Sequence, residues 1–88
     1  MMPDEPADYS EVADQQLDAL EASDPDLSND MLTICELVFR SPGRAQAMSS
    51  AIHTPGGVVL RIAVPGRFPS KVFWTSEGPR IEAVFDHP

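Results

Sequence analysis

The chain has 88 residues, which suits one small domain, and its 14 acidic and 6 basic residues give a formal net charge of −8 at pH 7. Its single cysteine excludes an intrachain disulfide, and no apolar run approaches the roughly 18–20 residues of a membrane-spanning helix. The acidic N-terminus lacks the apolar segment of a signal peptide, so the sequence predicts a cytoplasmic protein with no membrane partner.

The charges are divided between the two ends of the chain. Residues 1–30 hold ten carboxylates and no Lys or Arg, a net charge of −10. Residues 31–88 hold six basic and four acidic side chains, a net charge of +2, and the two values sum to −8. This asymmetry bears on partners more than on fold. We predict a disordered acidic tail over residues 1–8 and a single α+β domain over residues 9–88.

A first helix is predicted within residues 9–22, where apolar residues recur at steps of three and four. Ser10 is a suitable N-cap for this helix. An alternative interpretation places a short strand at residues 8–12 and starts the helix at Ala13. The alternation there is too short to decide between the two interpretations.

A second helix is predicted to begin at Asp24-Pro25, because Asp is a favoured N-cap and Pro is favoured at the first helical position. Cys35 lies in the wide apolar stripe of this helix and is interpreted as a buried small side chain. Ser41-Pro42 repeats the start signal and predicts a short third helix. The residues predicted to face inward from it are Ala45, Met48 and Ile52.

Three strands are predicted over residues 58–64, 71–75 and 80–85, where the hydrophobic period changes from about 3.6 to 2. Their short connections favour an antiparallel meander. The predicted fold class is α+β, with N-terminal helices packed on one face of a small antiparallel sheet of three strands, or four if residues 8–12 form one. The predicted inner, apolar face consists of Leu60, Ile62, Val64, Val72, Trp74, Ile81, Ala83 and Phe85.

Basic residues gather on the other face of this predicted sheet. A four-residue turn places Thr75 opposite Arg80, and a register that keeps the apolar residues together places Arg61 opposite Thr75. Both arginines would then flank Thr75, and Lys71 would lie further along the same face. Because arginine and lysine bind phosphate oxygens, this pattern predicts a phosphate-binding face. The alternative is a solvated polar face in which Arg61 or Arg80 pairs with Glu82.

Three other side chains bear on the chemistry that the chain could perform. Phe73 on the basic face either offers a platform for base stacking or is a partly covered surface aromatic. His87 follows the last strand and lies next to Asp86; it is either a general acid or base near neutral pH or an ordinary surface group. His53 is interpreted as an incidental loop residue. The histidines and the cysteine lack metal-ligand spacing, so neither a metal nor another cofactor is predicted.

Several segments resemble the RelE/ParE superfamily of toxin–antitoxin toxins. YSEVADQQLDAL, residues 9–20, resembles that family's opening strand and first helix. GVVLRIAVPG followed by KVFW and RIEAVF resembles its core of three strands, so that the resemblance spans roughly residues 9–87. Some members of this superfamily are ribosome-dependent RNases that cut mRNA, whereas ParE-like members target DNA gyrase.

The resemblance implies a toxin-like protein that cleaves mRNA on the ribosome through its basic sheet face. Carried over to this chain, Arg61 and Arg80 would hold the phosphate, Lys71 would assist, and His87 would be the acid or base. The implied partner is either RNA on the ribosome or a protein, which would be an antitoxin-like or a basic protein. The sequence contains no complete catalytic motif, so whether the chain is an enzyme is left open.

Two other functions stay open at this point. The chain is a non-catalytic interaction module of the same fold if its acidic N-terminal region binds a basic protein. The acidic arm is a shield if it folds back on the chain's own basic face. The sequence predicts no oligomeric state.

Overall fold

The structure, a computed structural model, describes residues 8–86. The helices are α1 (Glu11–Ser23), α2 (Pro25–Arg40) and α3 (Pro42–Ala47), and the strands are β1 (Ser50–Thr54), β2 (Gly57–Ala63), β3 (Lys71–Thr75) and β4 (Arg80–Phe85). The strands form one antiparallel sheet in the order β1-β2-β3-β4. Helices therefore precede an antiparallel meander, which confirms the predicted α+β class. Within the described range, no helix has both the length and the apolar character to cross a membrane.

Most of the predicted tail, and His87, lie outside the described residues, so those predictions remain untested. Asp8, the last residue of that tail, is described. Its carbonyl oxygen accepts a hydrogen bond of 2.9 Å from Ile81 N, so the chain is already part of the fold at residue 8.

The start of α1 is set by a side-chain cap. Ser10 Oγ accepts a hydrogen bond of 3.0 Å from Ala13 N, which is the geometry of an N-cap. Before the cap, the chain runs beside β4 and makes a single isolated parallel bridge with it. The prediction of a helix capped by Ser10 is therefore confirmed, and the alternative strand at residues 8–12 is wrong.

The predicted start of α2 and the burial of Cys35 are both confirmed. Asp24 Oδ1 accepts a hydrogen bond of 3.2 Å from Leu27 N, with Pro25 in the first turn. Cys35 is 0% exposed, and burial raises the pKa of its thiol to about 12. A thiol with this pKa stays protonated at neutral pH and is a poor nucleophile.

The third helix is shorter than predicted, and the strand after it was not predicted. Ala45 is buried as expected, but α3 ends at Ala47 and Met48 is 50% exposed. Ile52, which was predicted to face inward from a helix, lies in β1 and pairs with Val59 of β2. The interpretation of residues up to 52 as helical is therefore wrong.

A tight turn explains this difference. Thr54 and Gly57 are paired across the two residues Pro55 and Gly56, and Thr54 Oγ1 donates to Gly57 O at 2.7 Å. Gly57 has a φ of 126°, a conformation that side chains disfavour. Such a turn joins two adjacent strands, so it draws the residues before it into the sheet instead of letting the helix continue.

The core lies between α1 and α2 on one side and the sheet on the other. The two helices pack mainly against β3 and β4. Trp74 is fully buried at the centre, as predicted, and its Nε1 donates to Ser49 Oγ at 3.0 Å. Other buried core residues include Ala13, Leu17, Met31, Ile34, Val38, Leu60, Ile62, Val72 and Ile81.

A shift of register in β4 corrects part of the predicted inner face. The pairing of β3 with β4 shifts between Phe73 and Trp74, because Glu82 is an extra residue on β4. Beyond the shift Val84 is buried, whereas Ala83 and Phe85 are only partly buried. The prediction that Ala83 and Phe85 face the helices is therefore wrong. The extra residue forms a β-bulge, so the residues of β4 after it face the opposite side of the sheet from the side that the prediction assumed.

Candidate functional site

The outer face of the sheet is defined as the face opposite the helices. Alternation along each strand, with the shift in β4, assigns residues to it. Its residues are Ser50, Ile52, Val59, Arg61, Ala63, Lys71, Phe73, Thr75, Arg80, Glu82, Ala83 and Phe85. Three basic side chains and one carboxylate lie on this face, in agreement with the predicted gathering of basic residues.

The register between β2 and β3 differs from the predicted register by two residues. Thr75 lies opposite Arg80 as predicted, but Arg61 lies opposite Phe73 and not opposite Thr75. Both registers keep the apolar residues on one face, so alternation alone does not distinguish them. The loop between β2 and β3 fixes the observed register, because it extends the pairing of the two strands by a hydrogen bond of 3.1 Å from Val64 N to the Ser70 carbonyl.

The two arginines of the predicted site are consequently separated. Arg61 and Arg80 lie two strands apart and are offset by two residues along the strands. With strands about 4.8 Å apart and a rise of about 3.4 Å per residue, their Cα atoms are about 12 Å apart. The prediction that both flank Thr75 is therefore wrong, and the outer face has two distinct ends.

Carboxylates surround the Arg80 end. Arg80 Nε lies 3.6 Å from Asp8 Oδ1, and its Nη1 lies 3.7 Å from Glu82 Oε2. Thr75 Oγ1 donates to the same Glu82 oxygen at 3.3 Å. This confirms the alternative in which Arg80 pairs with Glu82. Two carboxylates beside one guanidinium leave this end with no excess positive charge, so it is poorly suited to hold a phosphate.

The Arg61 end borders a groove with a volume of about 960 Å³. We call it the Arg61 groove. Its lining consists of Met48, Ser50, Arg61, Ala63, Val64, Pro65, Gly66, Phe68, Pro69, Ser70 and Lys71. Arg61 is exposed, and no carboxylate of residues 8–86 lies within ion-pair distance of it. Lys71 Nζ donates to the Pro69 carbonyl at 3.2 Å, which holds its ammonium at the loop.

Phe68 is the member of this groove that the sequence interpretation missed. It is 95% exposed, so its ring adds nothing to the core. It sits in the loop PGRFPS between β2 and β3. An aromatic residue among turn-forming residues, with no place in the alternation of either strand, is a signal that could have identified it.

The loop that carries Phe68 is tied to the helical layer. Arg67 Nε donates to Asp30 Oδ2 of α2 at 2.8 Å, and this hydrogen bond raises the pKa of the Arg67 guanidinium. Both side chains are well exposed, so the pair contributes little to stability. It restrains the residue next to Phe68 and so orients the rim of the groove.

Phe73 lies beside the groove and is half-buried. Its ring meets that of Phe85 edge to face, with centroids 5.6 Å apart and an interplanar angle of 85°. It is directly opposite Arg61 on the neighbouring strand. This position agrees with the interpretation of Phe73 as a partly covered surface aromatic and leaves Phe68 as the more accessible ring.

The structure thus assembles part of the predicted site. Arg61 and Lys71 share the lining of one groove, Arg80 lies apart from them, and His87 lies outside the described residues. Cys35 belongs to α2 and is buried in the core, so it is unsuited to chemistry at the outer face. In the described part of the chain, no group of three His, Cys, Asp or Glu side chains is placed to hold a metal ion.

Comparisons with known proteins find no relative of this chain. The resemblance to the RelE/ParE superfamily therefore stays a prediction. No protein-family model, no curated protein and no solved structure matches this chain at a significant level.

Proposed function

We propose that this chain binds single-stranded RNA in the Arg61 groove, as a toxin-like protein whose outer sheet face contacts the RNA backbone. The observation that carries the proposal is the composition of the groove. Two basic side chains, Arg61 and Lys71, line the same cleft as Phe68, an aromatic ring that is 95% exposed.

Each part of the groove suits one part of a nucleotide. The Arg61 guanidinium is planar and forms paired hydrogen bonds with phosphate oxygens, whereas the Lys71 ammonium supplies a point charge. The Phe68 ring offers a surface on which a base stacks. Stacking of this kind requires an unpaired base, which favours a single strand over a duplex. The choice of RNA over DNA rests on the family resemblance.

The distribution of charge makes binding compatible with a net charge of −8. Eight carboxylates belong to the α1–α2 layer (Glu11, Asp14, Asp18, Glu21, Asp24, Asp26, Asp30 and Glu36). This layer packs mainly on β3 and β4, on the face of the sheet opposite the groove. Repulsion of a phosphate by the acids of α1 is therefore reduced by distance and by salt. Asp24, Asp26 and Asp30 lie closer, because they act on Arg67 at the rim of the groove, and the Arg67 guanidinium offsets the charge of Asp30.

Fluorescence anisotropy with a labelled ten-nucleotide single-stranded RNA tests the proposal. We expect Arg61→Ala to weaken binding by about 10-fold, because one phosphate contact is lost. Phe68→Ala should weaken it by about 5- to 100-fold through lost stacking. With two phosphates neutralised, log K should fall with log salt at a slope of about −1.4.

Arg40→Ala is the matched control for Arg61→Ala. Arg40 is exposed at the end of α2, does not line the groove, and its removal changes the net charge by the same amount. We expect its binding to stay within about 2-fold of wild type. Equal losses for the two arginine variants, or no binding by the wild type, would contradict a site in the groove.

Ribosome-dependent mRNA cleavage is the stronger form of this proposal. It requires Arg61 to contact the scissile phosphate and His87 to move a proton, as the resemblance implies. Induced expression of the wild type should then arrest bacterial growth, and Arg61→Ala or His87→Ala should relieve the arrest. Arg80→Ala should stay toxic, because Asp8 and Glu82 already pair with that guanidinium. A harmless wild type would reject cleavage while anisotropy still decides RNA binding.

The exposed acidic surface of α1 favours a second candidate, a protein-interaction module that binds a basic partner. Glu11, Asp14, Asp18 and Glu21 are all exposed, and none forms an ion pair within residues 8–86. A basic partner bound by wild type and Arg61→Ala alike, but lost in Asp14→Asn/Asp18→Asn, would support this function. A partner retained by the neutralised variant would reject it.

A further inference from the structure

The two edges of the sheet differ in how their backbone groups are satisfied. At the β4 edge, the chain's own N-terminal segment and α1 supply partners. The hydrogen bonds are Ile81 N to Asp8 O (2.9 Å), Ser10 N to Ile81 O (2.9 Å), Ser10 Oγ to Glu82 O (2.6 Å) and Val84 N to Gln16 Oε1 (2.7 Å). These contacts leave little of β4 available for another strand.

The β1 edge is open. In a hairpin with a two-residue turn, the closing pair Thr54 and Gly57 is hydrogen-bonded, and the bonded pairs then alternate along the strand. Ser50 and Ile52 consequently bond to β2, whereas the N–H and C=O groups of Ala51 and His53 point away from the sheet. No strand among residues 8–86 pairs with this side of β1.

Nothing in β1 protects this edge from pairing. The strand SAIHT contains no charged residue, proline or glycine, and its pairing with β2 runs over five residues without a bulge. Natural sheets usually protect an open edge with charges, proline, bulges or a covering segment. The β1 edge therefore has the properties of a strand that accepts a partner strand.

We propose that β1 pairs antiparallel with β1 of a second copy of this chain, about a two-fold axis through Ile52. In this register Ala51 lies opposite His53 of the other copy, so the four outward groups of each strand form four hydrogen bonds across the axis. Ile52 faces its own counterpart at a Cα separation of about 4.5 Å, which is typical of a non-bonded pair. Two four-stranded sheets then become one sheet of eight strands.

Charge and self-complementarity both favour a second copy as the occupant. Two chains of charge −8 repel each other, but the acidic α1–α2 layer lies mainly over β3 and β4, at the far side of the sheet from β1. The β1 edge is therefore a place where two copies approach with little repulsion. Because the β1 edge is neutral, it does not favour a charged partner strand over a second copy of itself. Antiparallel pairing about Ile52 also gives the two identical strands the same contacts on both sides of the two-fold axis.

The outer face gains a continuous apolar strip in this dimer. Val59 lies opposite Ile52 within one copy, so Val59 and Ile52 of both copies form a row across the axis. The contact is small, because it involves one short strand from each copy. We therefore expect a weak dimer with a dissociation constant above about 1 µM.

Sedimentation equilibrium of the full chain over about 10 µM to 1 mM tests the dimer. We expect the weight-average mass to rise with concentration from 9.6 kDa toward twice that value. Ile52→Lys and Ile52→Glu should each remain monomeric, because two like charges meet at the axis. An equimolar mixture of the two variants should restore association, because opposite charges then meet.

Val12→Lys is the matched control, since Val12 is 54% exposed on α1 and lies away from β1. It should dimerise like the wild type, and circular dichroism confirms that each variant is folded. His53→Pro, a second variant, removes an outward N–H that has no acceptor among the described residues of the monomer and should weaken the dimer. A wild type that stays monomeric to about 1 mM, a dimer that persists in Ile52→Lys, or no recovery on mixing would overturn the proposal.

Discussion

The inner and outer faces of the sheet are made by alternate residues of the same strands, yet different forces determine them. On the inner face, Trp74 and its apolar neighbours are excluded from water by α1 and α2. On the outer face, Arg61 is exposed and Phe73 is only half-buried. The stability of the fold therefore resides on one side of the strands, and the side chains available for binding lie on the other. Four predictions test this difference, from the largest effect to the smallest.

Trp74→Ala tests the inner face most directly. Removing a fully buried indole should lower the free energy of unfolding by about 3–5 kcal/mol, because burial is lost and a cavity is left. Phe73→Ala, one residue away on the outer face, should cost less than half as much. Urea denaturation followed by circular dichroism measures both values. Equal losses would mean that the two faces do not differ in burial.

Val84 and Ala83 test where the register shift puts the boundary between the faces. Val84 is buried, so Val84→Ala should cost about 2 kcal/mol. Ala83 lies on the outer face, so Ala83→Val should change the free energy of unfolding by less than about 0.5 kcal/mol. Chemical denaturation distinguishes the two variants. The reverse order of effects would indicate that β4 pairs without the shift.

The pH dependence of stability tests the buried thiol on the inner side of the molecule. Burial raises the pKa of Cys35 from 9.0 to about 12, so the unfolded chain loses this proton at a lower pH than the folded chain. Stability contributed by the neutral thiol is present below pH 9 and falls as the pH rises from 9 toward 12. At pH 10 the loss from Cys35 should be about 1.4 kcal/mol relative to pH 7.

Cys35→Ala is the control for that profile. Burial also raises the pKa of Tyr9, but the ordinary pKa of its phenol is 10.0, so Tyr9 contributes less at pH 10. The variant should therefore show a flatter decline of the unfolding midpoint between pH 8 and pH 10. An unchanged slope would mean that the thiol is not shielded from water.

The two arginines of the outer face should differ slightly in their effect on stability. Arg80→Ala breaks two partly exposed ion pairs, with Asp8 and Glu82, and should cost about 0.5 kcal/mol. Arg61→Ala breaks no ion pair among residues 8–86 and should cost less. Thermal unfolding at low salt measures the difference, which 1 M salt should remove. A larger loss for Arg61→Ala would show that Arg61 has a structural role.

Local chemistry in the sequence determined the helices and most of the core. Ser10 and the Asp24-Pro25 pair are short-range signals, since a cap acts on backbone groups within one turn. The burial of Trp74 and Cys35 follows from alternation and from the apolar stripe of α2. These features depend on neighbours in the chain, which is why the sequence alone predicts them.

Only the tertiary structure decided how the candidate site is assembled. The turn at Pro55-Gly56 made β1 a strand, the loop between β2 and β3 set the position of Arg61, and the extra residue Glu82 reversed the alternation of β4. Each of these is a choice between arrangements that bury similar apolar surface, so hydrophobic patterning does not distinguish them. Hydrogen bonds across the turns and between neighbouring strands make the choice, and they place Arg61 in the same groove as Phe68 and away from Arg80.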